Sequence, residues 1–447
     1  MNNIKGLATL LKEAGATRVL LIGGAVIDQI FNRPVKDWDL EVYGLTYNQI
    51  VSALTKAGLP ANVVGKEFGI VKTAWDGFDI DLNIPRRDNR IGKGHRGFLS
   101  ELDPNMTPKE AGRRRDLTMN SMYQDIETGE IIDPFGGLED LKSGIVRATD
   151  LSTFIEDPLR ALRIMQLLPR KGKIVDQSTM ELCRSMVDEY STLAKERVFE
   201  EFVKLLMKAP KPSVGLKFLV DSGWIIHFPE LEAMIGCYQN PEWHPEGDVW
   251  EHTLRVVDFA AVAKEYIPED WQLTFMFGAL CHDIGKPLTT DSEGKSPGHD
   301  IAGVPVAEKF MRRITNDKDI INKVLIIIET HMRPGQLLHQ EAGIPAWKRL
   351  HNKIRLDVVG YMSYCDSVSR FTDEPNFEEL HEPSRMALKF FKEFGVSRIK
   401  PILTGKDLIA AGIAEGPEIG QRLSVAYEAQ LDGITDRGAL LNIALRQ

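Results

Sequence analysis

The chain has 447 residues, 43% hydrophobic and 27% charged, with a net charge of −9. That length suggests about three domains, and the apolar content is enough for a sizeable core. The acidic balance argues against a dedicated nucleic-acid coat, and the nine-residue run VLLIGGAVI is too short for a membrane span and wrongly flanked for a signal peptide.

In chain order, residues 4–14, IKGLATLLKEA, show helical periodicity and meet Gly15 as a stop. TRVLLIGG reads as a buried strand, AVIDQIFN as a short helix, DWDLEVYG as a second strand and YNQIVSALTKAG as a second helix ending at Gly58. FGIVKTAW and FDIDLNIP are two strands joined by Asp76-Gly77, a hairpin signal. Between Ile84 and Asp116 lie nine basic and five acidic residues, a local excess of positive charge able to meet phosphates. After residue 150 long helical segments dominate, from DPLRALRIMQLL to PSVGLKFLVDSG. NPEWHPEGD at 240–248 then breaks the pattern before a second all-helical stretch carrying most of the histidines. The tail after about 375 is helical, with TGKDLIAAG its one patterned part. The cysteines Cys183, Cys237, Cys281 and Cys365 are scattered without a C-x-x-C pair, which suggests reduced thiols in a cytoplasmic protein.

Three constellations carry chemistry. On a strand, Asp37, Asp39, Glu41 and Tyr43 share one face, opposite Trp38, Leu40 and Val42. Neighbouring carboxylates on that face would lie roughly 7 Å apart and repel one another unless a cation sits between them. Mg²⁺ commonly binds one or two carboxylates together with substrate phosphates. Upstream, Gly23-Gly24 follow an apolar strand and open a helix, where glycine lets a phosphate approach backbone N–H groups.

In the second, TFIEDPLRALR, Thr153 and Glu156 have capping-box spacing and Pro158 suits a first helical turn. Asp157, Arg160 and Arg163 then share one helix face. A carboxylate and a guanidinium side by side match the amino donor and ring-nitrogen acceptor that cytosine and adenine both present.

In the third, His252, His282-Asp283 and Asp366 fall on separate helices. Asp366 lies inside the apolar run VVGYMSYCDSV, where a buried aspartate needs a partner. Two imidazoles and two carboxylates so gathered would make a divalent-metal site.

GGAVIDQIFNRPVKDWDLEVYG (23–44), RRRDLTMNSM (113–122), IDPFGGLEDLKSGIVRAT (132–149) and EDPLRALR (156–163) together resemble the bacterial tRNA nucleotidyltransferases. These are CCA-adding enzymes of class II, related to poly(A) polymerases. The likeness covers roughly the first 240 residues. It implies Asp37 and Asp39 as catalytic Mg²⁺ ligands, with Asp81 as an auxiliary carboxylate. Gly24, the Ile27 position and Arg115 would face the triphosphate, and Asp116 and Asn120 the sugar. Glu156, Asp157, Arg160 and Arg163 would select CTP and ATP. The basic stretch 90–112 corresponds to a flexible loop that favours full CCA addition. The family motif is Gly-Gly-x-Val-Arg-Asp; here Ile27 stands at the arginine, so Ile27→Arg is expected to tighten nucleotide binding. The H…HD…D order, with WHPEGDVWEHT, resembles the HD phosphohydrolases. It implies His252, His282, Asp283 and Asp366 as ligands of a divalent metal, with His299 and His331 toward phosphate. The activity implied there is hydrolysis of phosphomonoesters or 2′,3′-cyclic phosphates.

The expected architecture is an α+β, polymerase-β-like nucleotidyltransferase head (1–148), then an all-α neck (149–240), an all-α HD domain (241–372) and a helical tail (373–447). The expected function is template-independent CCA addition to tRNA from CTP and ATP, with no membrane partner, by a monomer or homodimer. A poly(A) polymerase or A-adding enzyme, or an RNA-binding HD phosphohydrolase with an inactive head, would share these motifs.

Overall fold

A computed structural model describes residues 2–35, 37–62, 69–90 and 98–446. The chain forms two compact units, Met1–Leu205 with Val214–His227, and Leu206–Ser213 with Phe228–Gln447. No helix among the described residues is long and apolar enough to cross a membrane.

The first unit opens with α1 (Asn2–Glu13), β1 (Arg18–Ile22), α2 (Gly24–Ile30), β2 (Trp38–Tyr43), α3 (Tyr47–Lys56), β3 (Ile70–Trp75) and β4 (Phe78–Asn83). Each matches a segment read from periodicity. Asp76 and Gly77 both have positive φ, 50° and 81°, as the expected tight hairpin between β3 and β4 requires. The hairpin β5 (Arg86–Arg90) and β6 (Phe98–Leu102) and helix α4 (Pro108–Gly112) follow. They correct the reading of 90–112 as a flexible loop; residues 91–97 of that stretch lie outside the described residues. The overlooked signal was Thr107-Pro108-x-Glu110, a capping box with proline in the first turn.

Strands β7 (Tyr123–Asp125) and β8 (Ile131–Ile132) complete a six-stranded sheet of order β3-β4-β2-β1-β7-β8. Only the β2–β4 pair is parallel, and its register sets Asp39 beside Asp81. Helix α5 (Gly137–Ser143) and the two-residue strand β9 (Ile145–Val146) precede the helical run, and β10 (Ile174–Val175) interrupts it to pair with β9. That run comprises α6 (Leu151–Phe154), α7 (Leu159–Lys171), α8 (Gln177–Ser185), α9 (Lys195–Lys208) and α10 (Pro212–Asp221). The expected Thr153–Glu156 capping box does not form. Asp150 caps α6 instead, accepting from the Ser152 and Thr153 N–H groups, so Thr153 lies inside the short helix. Its hydroxyl donates to the Arg113 carbonyl at 2.7 Å.

The second unit is helical: α11 (Pro229–Glu232), α12 (Val249–Ala263), α13 (Glu269–Cys281), α14 (Lys286–Thr289), α15 (His299–Ile314), α16 (Lys318–Thr330), α17 (Arg333–His339), α18 (Ile344–Lys353), α19 (Leu356–Val368), α20 (Glu382–Phe394), α21 (Gly405–Ala410), α22 (Pro417–Leu431) and α23 (Arg437–Leu445). Residues 274–281 of α13 are buried without interruption, as are 362–366 of α19. A helix apolar on all sides belongs at the centre of a bundle. These two helices therefore carry His282-Asp283 and Asp366 into the middle of the unit. The last three helices pack around Leu403, Leu408, Ala426, Leu440 and Ala444.

Candidate functional site

The alternation expected of β2 is present on one side only. Trp38, Leu40 and Val42 are buried, but so are Glu41 and Tyr43 on the other face, where Tyr43 packs with Leu20, Ile22 and Tyr123. Glu41 is fully buried and needs counter-charge. Arg115 donates to it at 3.0 Å, Arg114 at 3.4 Å and the Tyr43 hydroxyl at 2.6 Å. Asp37 sits just before the strand and is exposed, whereas Asp39 is half-buried. Burial, then the neighbouring Asp81 carboxylate, then Asp37 push the Asp39 carboxyl above its usual range; Arg115 and Lys72 pull the other way. Lys72 lies 3.2 Å from Asp81.

Asp39 lines a cavity of about 510 Å³. Gly23, Gly24, Arg115, Asp116, Asn120, Asp157, Arg160 and Arg163 line it too, so residues from three separate sequence motifs meet there. Seven of its lining side chains are cationic and three are carboxylates. Most of its polar groups are held in place. Arg163 pairs with Asp116 at 2.6 Å, and Asn120 donates to the same carboxylate at 3.0 Å. Burial opposes ionisation of Asp116, yet Arg163 and Asn120 outweigh it and bring its pKa to about 2. Arg160 donates to the carbonyls of Thr153 and Arg114 at 2.6 and 2.7 Å. Asp157 accepts from the Leu159 N–H at 3.2 Å and from Arg197 at 3.3 Å.

Three expected residues stand apart, and Asp37, exposed just before β2, is the first of them. Ile27 is 1% exposed and does not line the cavity, because its aliphatic side chain is buried on α2 with Ala25 and Val26. Glu156 does not line it either. Sequence reasoning missed Arg86, Arg114, Arg170 and Lys171, which do. For Arg170 a signal existed: it lies seven residues after Arg163, two helical turns along the same face.

In the second unit His252, His282 and Asp366 bring ligand atoms within 4.8 Å of one another, and Asp283, His299 and His331 do the same. The four expected residues thus come together, and the two further histidines join them. Local structure aims the rings. His282 and His331 follow the last turns of α13 and α16, and their Nδ1 atoms bond the carbonyls of Ala279 and Ile328 at 2.9 and 2.7 Å. Those are helix-end carbonyls without intrahelical partners. His299 Nδ1 bonds the Ser296 carbonyl at 2.7 Å. Only a protonated Nδ1 can donate to a carbonyl, which leaves Nε2 as a lone pair in each neutral ring. Yet His252 Nε2 and His282 Nε2 face each other at 3.3 Å, and His299 and His331 at 3.4 Å. Facing lone pairs at that distance call for a cation between them.

Asp283 sits between the two groups. Its Oδ1 is 3.1 Å from His299 Nε2, and its Oδ2 is 3.2 Å from His282 Nε2 and 2.7 Å from Lys286 Nζ. Burial alone would raise its pKa, but His282 and Lys286 hold it well below the usual carboxylate range. Arg370, 2.7 Å from Asp366, does the same there. Burial, and then His282, lower the His331 pKa to about 4. Glu246, from the WHPEGD turn, was not singled out from sequence. Its Oε1 lies 2.7 Å from His252 Nδ1 and 2.9 Å from His244 Nδ1. A carboxylate behind an imidazole fixes the ring's tautomer for metal binding. The donor set, nitrogen and carboxylate oxygen in a buried centre, fits a divalent metal.

Known proteins resemble this chain along most of its length. Residues 19–147 match the poly A polymerase head domain, 174–235 the probable RNA and SrmB-binding site of polymerase A, and 249–370 the HD domain. A multifunctional CCA protein of Halorhodospira halophila is 34% identical over 344 residues, 73% of this chain and 79% of its own length. One from Chromobacterium violaceum is 36% identical over 305 residues, 67% of this chain and 71% of its own. The Bacillus stearothermophilus CCA-adding enzyme in complex with CTP shares the fold, with a TM-score of 0.70 and 19% identity over 100% of this chain and 96% of that one. The Thermotoga maritima CCA-adding enzyme complexed with tRNA has a TM-score of 0.60 and 19% identity over 100% of this chain and 94% of that one. The chain is therefore an enzyme of the nucleotidyltransferase class with an additional HD domain. It belongs to the multifunctional CCA protein family.

Proposed function

We propose that this enzyme adds CCA to tRNA 3′ ends from CTP and ATP, without a nucleic-acid template, in the cytoplasm. The observation that carries this reading is the meeting of Asp39, Gly23-Gly24 and the Asp157–Arg160 pair in one cavity among seven cations. In this reading residues 1–148 are the catalytic head, 149–240 the neck, 241–372 the HD domain and 373–447 the tail.

Asp37 and Asp39 would hold Mg²⁺, and the crowding of negative charge at Asp39 by Asp81 and Asp37 fits such a ligand. When bound, Mg²⁺ stabilises the charge on attacking and leaving oxygens in an in-line displacement. The arginines receive the triphosphate and stabilise the departing pyrophosphate. They are fixed by Glu41, Asp116 and backbone carbonyls, so little reorganisation accompanies the reaction. Gly23 has φ 67°, and no heavy atom lies within 4 Å of the place a Cβ would take there, which leaves room at the backbone for phosphate. Asp157 accepts from the base amino group and Arg160 donates to the ring nitrogen. Both are already oriented by hydrogen bonds, which makes them a rigid template. Guanine and uracil present a carbonyl where the carboxylate needs a donor, and an unmatched buried acceptor is costly.

The HD domain would hydrolyse phosphomonoesters or 2′,3′-cyclic phosphates. Its six His and Asp side chains fall into two groups of three and would hold two divalent metals rather than one. The test of the main reading is incubation of tRNA lacking its CCA end with labelled CTP, labelled ATP and Mg²⁺. Incorporation of C followed by A supports it. Incorporation of A alone indicates an A-adding enzyme. No incorporation, with metal-dependent phosphate release, leaves only the HD activity.

A further inference from the structure

Where the motif resemblance implies an arginine this chain has Ile27, which is buried on α2 and does not line the cavity. The structure supplies a different cation at the same glycines. Lys171, in the last turn of α7, lines the cavity, and its Nζ lies 3.7 Å from the position a Cβ on Gly24 would take.

The other cations facing this space are committed, and Arg86 is among those with a partner. Arg114 and Arg115 pair with Glu41, Arg163 with Asp116, Arg160 with two carbonyls, and Arg170 donates to Gln166 at 2.6 Å. Lys171 forms no hydrogen bond or ion pair with any described residue. Burial, reinforced by Arg170, lowers its pKa against the weaker pull of the Asp28 and Asp116 carboxylates. A lysine ammonium is a compact point charge on a flexible stem, suited to phosphate.

We infer that Lys171 binds the triphosphate of the incoming nucleotide, supplying from α7 a cation beside the glycines that open α2. This rests on reading the head as a nucleotidyltransferase. A purely structural role is the competing account, because a cation in the last turn also favours its own helix. The two differ in what they move. A phosphate contact changes affinity for every triphosphate and ignores the base. A helix-end charge changes thermal stability and ignores the ligand.

The experiment uses the full chain with Mg²⁺ and measures binding of CTP, ATP, cytidine and inorganic tripolyphosphate to wild type, Lys171→Met and Lys171→Arg. The methionine keeps the length of the stem and removes the charge. Loss of one charge-assisted contact should weaken CTP, ATP and tripolyphosphate alike by roughly 10- to 100-fold. Cytidine binding, the preference between C and A, and the melting temperature should hold, and Lys171→Arg should recover most of the affinity. Unchanged CTP binding in Lys171→Met overturns the inference, as does an equal loss for cytidine or a loss of stability that accounts for the effect. Failure of the wild type to bind any of the nucleotides overturns the reading of the head itself, and the inference with it.

Discussion

The two units both assemble groups suited to phosphate chemistry, but with opposite charge logic. The head cavity is open, cation-rich and lined by arginines that backbone carbonyls and buried carboxylates hold in place. The HD cluster is closed and made of imidazoles and carboxylates, with each ring's outer nitrogen tied to protein and its inner nitrogen turned to a common centre. A cavity of fixed cations is built to receive a polyanion. A cluster of lone pairs is built to receive a cation. On the proposed reading the head is organised around a polyanionic substrate, whereas the HD centre is organised around metal first and substrate second.

Disabling each centre alone puts the contrast under the greatest strain. Asp39→Asn should reduce nucleotide incorporation on the order of 1,000-fold while leaving metal-dependent phosphate release unchanged. Release falling in parallel would show that the centres are not independent. Next, His282→Ala should lower divalent-metal affinity of the HD centre by roughly 10- to 100-fold, read by calorimetry on chelator-treated protein. Phosphate release should fall with it and nucleotide incorporation should not.

A smaller effect bears on the template. Asp157→Ala should erode discrimination against GTP and UTP by about tenfold or more, with tRNA affinity little changed. Retained discrimination among all four nucleotides would remove Asp157 from base selection. The smallest effect concerns pH. Asp116 is buried with a folded pKa of about 2, below its ordinary value of 3.8. A depressed carboxylate stabilises the fold above its unfolded pKa, and that contribution disappears as pH falls from near 4 through 2. Asp116→Asn should therefore lose on the order of 2 kcal/mol at neutral pH and flatten the acid limb of the melting profile over that window. An unchanged acid limb would mean that Arg163 does not hold this carboxylate.

What sequence could reveal followed the range of the interactions. Asp39, Asp157 and the His282-Asp283 pair stand in local patterns, and the resemblance of those patterns to known families pointed to them. The Asp76-Gly77 turn and the strands beside it were legible from local pattern alone. Glu41 was not, because its role depends on Arg114 and Arg115 arriving from more than 70 residues away. Lys171 and Glu246 were likewise invisible until the fold set them beside Gly24 and His252. The expectation for Ile27 changes too. Buried at 1% exposure, the position cannot take an arginine without displacing the core, so Ile27→Arg should cost stability rather than tighten nucleotide binding.

CCA addition itself is decided by sequencing the 3′ ends of tRNA lacking CCA after reaction with CTP alone, ATP alone and both. CTP alone should yield two added C residues, ATP alone none, and the two together a complete CCA end. Addition of A without prior C, or no addition by the wild-type enzyme, would contradict the proposed function.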